Sequence, residues 1–306
     1  MLVFLTGATG YVGSRVLREL VARGHGARCL VREPGARLAV EDDAVERVVG
    51  EVTDRGALER SIPGCDAVIH LVGIIDEKPS KGVTFEAVHH HGARNVMDAA
   101  RGAGIDRFVL MSANGARPDG VSAYQTTKWK AEQYLEGRGF ERWTIFRPSI
   151  LFGDPGPDGI DFATRLARDL VRPFPVLPVF GDGSYRLQPI SVGEVAAAIV
   201  QALTLDVANG RRYCAAGTES FDFPAVLDII ARGLGLRPKP KVPAPIFLVR
   251  PAVRTAGRVG LLPISSDQFE MLLDGNTCDS SEFYRDFEVE RVPFSGETLS
   301  YLRQRA

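Results

Sequence analysis

The segment Thr6-Gly7-Ala8-Thr9-Gly10-Tyr11-Val12-Gly13 constrains this chain more than any other. It is a GxxGxxG turn that comes after a short apolar run, Leu2–Leu5, and opens a stretch with helical spacing. An apolar run of that length ending in Thr-Gly reads as a buried parallel strand. Across Tyr11–Arg23, Val12, Val16, Leu20 and Val21 share one face, with Arg15, Arg18, Glu19 and Arg23 opposite and Gly24 as the stop. In such a strand–turn–helix unit the first glycine permits the tight turn. The second lets the backbone approach a pyrophosphate, and the third lets the helix pack close to the strand. The pyrophosphate then rests on free amides at the positive helix end. Thr6, Gly7, Thr9, Gly10, Tyr11, Val12 and Gly13 are thus the expected dinucleotide contacts. A glycine turn that binds nothing is the alternative, and the surrounding pattern argues against it.

That pattern repeats. Apolar runs at Ala27–Val31, Arg47–Val49, Ala67–Val72, Arg107–Met111 and Trp143–Phe146 alternate with helical stretches at Arg55–Ser61, Phe85–Gly102 and Ser122–Glu136. Asp54 suits the N-cap of the first of these helices. Strands alternating with crossover helices imply a Rossmann-type α/β fold, a doubly wound parallel sheet with helices on both faces. After Arg147-Pro148 the pattern degrades, with proline and glycine dense at 154–159 and 173–183. Residues 1–150 are therefore expected to form the dinucleotide-binding domain. Residues 151–306 form a smaller C-terminal α/β lobe for substrate or partner, with some return to the sheet near 185–215. Helices are expected there around Phe162–Leu170, Val192–Leu203 and Phe223–Gly233.

A chain of 306 residues with a formal net charge of −1 can bury a large core and shows no electrostatic footprint for nucleic acid. Cys29, Cys65, Cys214 and Cys278 form no CxxC pair and read as reduced, mostly buried thiols, which suits a cytoplasmic protein. Met1 leads straight into a strand pattern with no basic stretch before it, against a signal peptide, and no run is apolar enough to span a membrane.

The choice of dinucleotide falls at the end of the second strand. Arg32 comes directly after Val31, with Arg37 nearby, and both suit a 2′-phosphate. Glu33 keeps NAD(H) open, while NADP(H) is the preferred reading. Glu51 and Val52 are placed to flank the adenine, and Leu71, Val72, Gly73 and Pro148 lie past strand ends at the same edge of the sheet. Tyr124 and Lys128 stand four apart at the start of a helix, on one face a turn apart. An ammonium there stabilises a phenolate and lowers the tyrosine pKa, so that Tyr124 exchanges a proton with a carbonyl or alcohol oxygen. Ser112, ending the fifth strand, is expected to hydrogen-bond that oxygen. A Tyr and Lys that merely line the cofactor site are the alternative.

These residues resemble a known superfamily. TGATGYVGSRV at 6–16, HLVGII at 70–75, FEAVHHHGARNV at 85–96 and SAYQTTKWKAE at 122–132 are similar to extended or atypical short-chain dehydrogenases/reductases. VLPVFGDG at 176–183, RLQPISVGEVAAAI at 186–199, SSDQFEMLL at 265–273 and VPFSGETLSYL at 292–302 point more narrowly. They resemble bacterial relatives of the SDR-like accessory subunit of respiratory complex I. The resemblance implies bound NADPH and a second lobe over the cofactor; it says less about reaction. His89 stands where such enzymes often have Asn, and Phe152-Gly153 where sugar-nucleotide epimerases carry Tyr-Gly. Arg186 matches the position where those epimerases hold a nucleotide diphosphate.

Other features read more plainly. His89, His90 and His91 are consecutive, and helix neighbours point roughly 100° apart, so three in a row do not converge on one ion and no metal is expected. His70 reads as a satisfied core histidine. In Pro245–Leu262 apolar residues interleave with Arg250, Arg254 and Arg258. This is either a lobe helix or a basic amphipathic helix suited to an anionic membrane surface or a respiratory-complex partner. Three functions are compatible with these readings: an NADP(H)-dependent oxidoreductase on a carbonyl, alcohol or quinone-like small molecule, a non-catalytic NADPH-binding structural or redox-sensing protein, and a sugar-nucleotide epimerase or dehydratase.

Overall fold

A computed structural model describes residues 1–156, 159–256 and 265–305. The chain divides into two compact units. The first comprises Met1–Pro148, Gly193–Cys214 and Ser281–Val289. Its strands are β1 (Leu2–Thr6), β2 (Gly26–Val31), β3 (Val45–Val49), β4 (Ala67–His70), β5 (Arg107–Met111) and β6 (Arg142–Pro148). They pair in parallel in the order β3-β2-β1-β4-β5-β6, and the strand Arg211–Ala215 lies beyond β6. This is the doubly wound Rossmann-type sheet that the alternating pattern implies.

The strand order reverses between β1 and β4, and the register aligns the carboxyl ends of the strands. Thr6 pairs with Leu30 on one side and His70 on the other, His70 with Leu110, and Met111 with Phe146. Gly7, Leu71, Ser112 and Arg147-Pro148 consequently leave the sheet along a single carboxyl edge, where open α/β sheets bind ligands. The helices are α1 (Tyr11–Ala22), α2 (Arg55–Ser61), α3 (Ala93–Gly102) and α4 (Ala123–Gly137). Asp54 caps α2 by accepting from Ala57 N, and Ser122 caps α4 by accepting from Gln125 N. One core layer packs Phe4, Val68, Phe108 and Ile145 of the strands on Leu58, Val96, Met97, Ala100, Ala131 and Leu135 of α2, α3 and α4.

One stretch of the first unit departs from expectation. The spacing predicts a continuous helix over Phe85–Gly102, but Glu86–Gly92 is wound as a π-helix that runs on into α3. Single π turns inside helices are uncommon and are often found at functional sites. The cysteine expectation also needs correction: Cys29 and Cys65 are free and buried, whereas Cys214 and Cys278 are disulfide-bonded.

The second unit comprises Ser149–Val192, Ala215–Ser280 and Glu290–Ala306. Its core gathers Phe152, Leu177, Phe223, Val226, Leu227, Ile230, Phe294 and Leu299. The strand Leu177–Phe180 pairs in parallel with Lys241–Ala244. The arginine-bearing stretch is helical over Ile246–Ala256 despite Pro251. Phe247 and Leu248 are 74% and 62% exposed, while Arg250 pairs with Glu270 at 2.8 Å. The part of that expectation resting on 257–264, Arg258 included, lies outside the described residues. Among the described residues no helix is long and apolar enough to cross a membrane.

Candidate active site

The glycine turn meets the steric demands of a dinucleotide site. Gly7 adopts φ +81°, a left-handed conformation that costs glycine little, and it lies against the backbone of Leu71 and Val72. A β-carbon on Gly13 would stand 1.9 Å from Gly7 O, so only glycine lets α1 start so close to β1. Gly10 is the N-cap of α1 without a side-chain cap, and the first turn carries no acidic residue. No side-chain cap or carboxylate competes for the start of α1, and the macrodipole favours an anion there. Thr6 does structural service: its hydroxyl lies 2.8 Å from His70 Nδ1 and accepts from Leu71 N at 3.3 Å. These observations fit a bound pyrophosphate, with Thr9, Gly10, Tyr11 and Val12 supplying backbone to it.

Arg32 and Arg37 are both exposed just past β2, and no carboxylate among the described residues pairs with either. Glu33 is exposed beside them. Glu51 is exposed past β3, whereas the Val52 side chain packs in the core and against Gly92. Val52 accordingly offers a ligand its backbone more than its side chain. Its carbonyl is already held by Asn95 Nδ2 at 3.1 Å.

The chemical groups gather around the start of α4. Lys128 is buried, its Nζ donating to Met111 O at 3.1 Å. A β-carbon on Gly73 would lie 3.0 Å from that Nζ and 3.5 Å from His89 Nε2, so the loop after β4 passes directly over both groups. Burial pushes the Lys128 ammonium down to about 8, against the opposing pull of Glu132. Ser112 is buried, and its hydroxyl has no partner among the described residues. A buried, unsatisfied hydroxyl is costly, and at a carboxyl edge it is what a reacting oxygen would relieve. Pro148 is buried at the end of β6, with its carbonyl accepting from Asn114 N at 2.9 Å.

Tyr124 departs from the expected titration. Burial pushes its hydroxyl up to about 12, and Lys128, committed to Met111 O, does not bring it down. In the protein by itself the phenol therefore carries its proton at neutral pH. Its ring is held edge-on by His89 and Phe85, at centroid distances of 5.0 and 5.7 Å.

His89 is the residue that sequence reasoning undervalues. Its Nε2 accepts from Ile74 N at 2.9 Å, and its Nδ1 lies 3.1 Å from Thr127 Oγ1. Thr127 spends its own proton on Ala123 O at 2.7 Å, which assigns the imidazole proton to Nδ1. The ring stacks on Phe85 and ties the π turn, the loop after β4 and α4 together. Gln125 is a second residue the motif reading passes over: buried, it accepts from Val121 N at 2.8 Å and fills the space beside Gly115 and Gly120. The YQTTK spacing contains both signals, because Gln125 and Thr127 flank the Tyr124–Lys128 face.

His70 is only half satisfied, since its Nε2 is buried without a partner among the described residues. Burial, reinforced by the charge of Lys128, pushes His70 down to about 3 and His89 to about 2. Both folded values lie below the ordinary 6.5, so the unfolded chain binds more protons between them. Their contribution to stability is complete above pH 6.5 and is lost as pH falls, at about 1.4 kcal/mol per pH unit for each ring. Urea unfolding from pH 7 to 5 should show this slope, and His89→Asn should remove about half of it. An undiminished slope in the variant would contradict this origin.

The three consecutive histidines do not diverge as a regular α-helix requires. His89 turns inward, while His90 and His91 both approach Glu86. Arg186, the residue matched to nucleotide diphosphate binding, is bonded through its guanidinium to the Ser220 hydroxyl and carbonyl. Phe152 is buried against Phe294 at 5.1 Å between ring centroids.

The chain is similar to known NAD(P)H-binding proteins in sequence and in fold. A family model described as NAD(P)H-binding matches residues 7–205. The chain is 30% identical to the ceramide reductase of Caulobacter vibrioides over 255 residues, 83% of this chain and 76% of the relative. It is 25% identical to the mitochondrial NADH-ubiquinone oxidoreductase 40 kDa subunit of Neurospora crassa, over 97% of this chain and 77% of that one. In fold it superposes on the NAD complex of Thermus thermophilus UDP-glucose 4-epimerase with a TM-score of 0.73 at 21% identity, covering 100% and 99% of the two chains.

Proposed function

The chain belongs to the NAD(P)H-binding proteins of the extended short-chain dehydrogenase/reductase type, NAD(P)-dependent oxidoreductases and epimerases, and from that premise we propose that it is an NADP(H)-dependent oxidoreductase of a lipid-like carbonyl or alcohol. The observation that carries the reading is the pair Ser112 and Tyr124. Ser112 has a buried, unpartnered hydroxyl, and Tyr124 a protonated one, both at the carboxyl edge of the sheet.

A dinucleotide bound along the glycine turn would supply the hydride chemistry that interconverts a carbonyl and an alcohol. The chain's own residues do the rest. Ser112 donates a hydrogen bond to the carbonyl oxygen and polarises it. Tyr124 gives its proton to that oxygen as negative charge develops, and in the opposite direction takes it back. Lys128 places an ammonium beside the loop at Gly73, where it would hold the ribose of the dinucleotide. His89 holds the Tyr124 ring through an edge contact and needs no proton exchange of its own.

Two relatives carry names that point to long-chain lipids, ceramide and ubiquinone, and this supports a lipophilic substrate. The exposed Phe247 and Leu248 add an apolar surface in the second unit. The epimerase reading is weaker, because Arg186 is already bonded to Ser220.

Arg32 and Arg37 support the phosphorylated cofactor. Arg32→Ala should weaken NADPH binding by about tenfold to a hundredfold and leave NADH binding unchanged, since one charge-assisted contact to a phosphate is at stake. Fluorescence titration of both cofactors decides it. Equal loss for both cofactors would refute a role in phosphate recognition. An NADPH-dependent assay on medium- and long-chain ketones then tests the substrate class, and no turnover of either would favour a non-catalytic NADPH-binding protein.

A further inference from the structure

The outer face of the π turn carries a second cluster of reactive groups. Glu86, His90 and His91 each present one ligand atom, and the three atoms lie within 4.8 Å of one another. His90 Nδ1 stands 2.7 Å from Glu86 Oε1, and His91 Nε2 stands 3.7 Å from the same oxygen. On a regular helix positions i and i+4 share a face, but i+5 turns away from both. The i→i+5 winding of Glu86–Gly92 brings them onto one face.

We propose that Glu86, His90 and His91 form a site for a borderline divalent transition-metal ion of the zinc, nickel or copper kind. Two imidazoles and one carboxylate are the donor set that such ions select over magnesium or calcium. Ligands about 2.0–2.2 Å from a tetrahedral ion lie roughly 3.3–3.6 Å from one another. His91 must therefore close in by a small side-chain rotation, and at 58% exposure it is free to do so. Binding replaces the His90–Glu86 hydrogen bond, so each imidazole offers its neutral nitrogen and any proton there leaves to solvent. Lys130 Nζ holds Glu86 Oε2 at 2.9 Å, which leaves Oε1 as the metal ligand and fixes the carboxylate plane. His89 is not a ligand: its ring is buried on the opposite face, bonded to Ile74 and Thr127. His91 also lines a cavity with Arg55, Arg94, Asn95 and Asp98, which gives room for a further ligand. Three protein donors with an open position is the composition of a reactive rather than a purely structural metal site.

The test uses the full chain with any histidine tag removed. Zinc binding is measured by competition with a chromophoric chelator, and cobalt is added to read coordination geometry from its visible spectrum. The expected result is one ion per chain, a tetrahedral cobalt spectrum, and a melting temperature that rises with zinc. His91→Ala and Glu86→Gln should each weaken zinc binding by about tenfold to a hundredfold, whereas His25→Ala should not. His91 and Glu86 are at the surface, so both variants should fold. Zinc binding unaffected by His91→Ala, or no melting shift in the wild type at saturating zinc, would overturn the assignment.

Discussion

Gly13→Ala is expected to abolish dinucleotide binding and to destabilise the fold by at least about 3 kcal/mol. The added β-carbon would stand 1.9 Å from Gly7 O, 2.6 Å from Gly7 C and 2.9 Å from Ala8 Cα. All three are backbone atoms, so no rotamer change relieves the overlap; α1 must lift from β1 or the turn must open. Either movement displaces the amides on which a pyrophosphate rests. Gly10→Ala separates the two effects. Its β-carbon would meet only Gly7 O at 3.2 Å, so the fold should survive while the cofactor is pushed away from the backbone. Chemical denaturation and an NADPH titration of both variants give the contrast. A Gly13→Ala protein with the wild-type denaturation midpoint would mean that the helix does not pack on the strand as described.

Tyr124→Phe is expected to lower kcat for carbonyl reduction by about two to four orders of magnitude, with cofactor affinity and melting temperature unchanged. The hydroxyl makes no hydrogen bond among the described residues, and the ring contacts with His89 and Phe85 persist in phenylalanine. The loss is therefore confined to proton transfer. A pH profile adds an independent reading. Because the phenol is pushed up to about 12, the proton donor is present throughout the neutral range. The Lys128 ammonium, pushed down to about 8, loses its charge above that value, so the reduction rate should fall as pH rises past 8. Full activity of the variant would return Tyr124 to the role of a residue lining the cofactor, and with it favour a protein that binds NADPH without catalysis.

Much of the site is written in local sequence because its demands are local. The spacing of Gly7, Gly10 and Gly13 reflects sterics within a single turn, and the four-residue step from Tyr124 to Lys128 reflects one turn of α4. Asp54 and Ser122 cap their helices through bonds to the backbone three residues on, which are equally visible in order. The titration of Tyr124 is illegible in sequence for the opposite reason. Its direction depends on how much solvent is removed and on where Lys128 Nζ spends its bonds, and neither depends on spacing alone. Four cysteines spaced far apart likewise read alike, although two are disulfide-bonded and two are not.

Sequence by itself determined the strand–turn–helix unit, the parallel doubly wound sheet and the edge along which Gly7, Arg32, Leu71, Ser112 and Pro148 lie. Those features come from hydrophobic period, glycine placement and chain direction, all of which act over a few residues. Tertiary structure alone decided the π winding of Glu86–Gly92, which sends His89 inward to Thr127 and Ile74 while His90 and His91 meet at Glu86. A helix adopts that costlier winding only when distant partners reward it. Those partners, on the loop after β4 and on α4, are more than a dozen residues away in sequence and adjacent only once the sheet has formed.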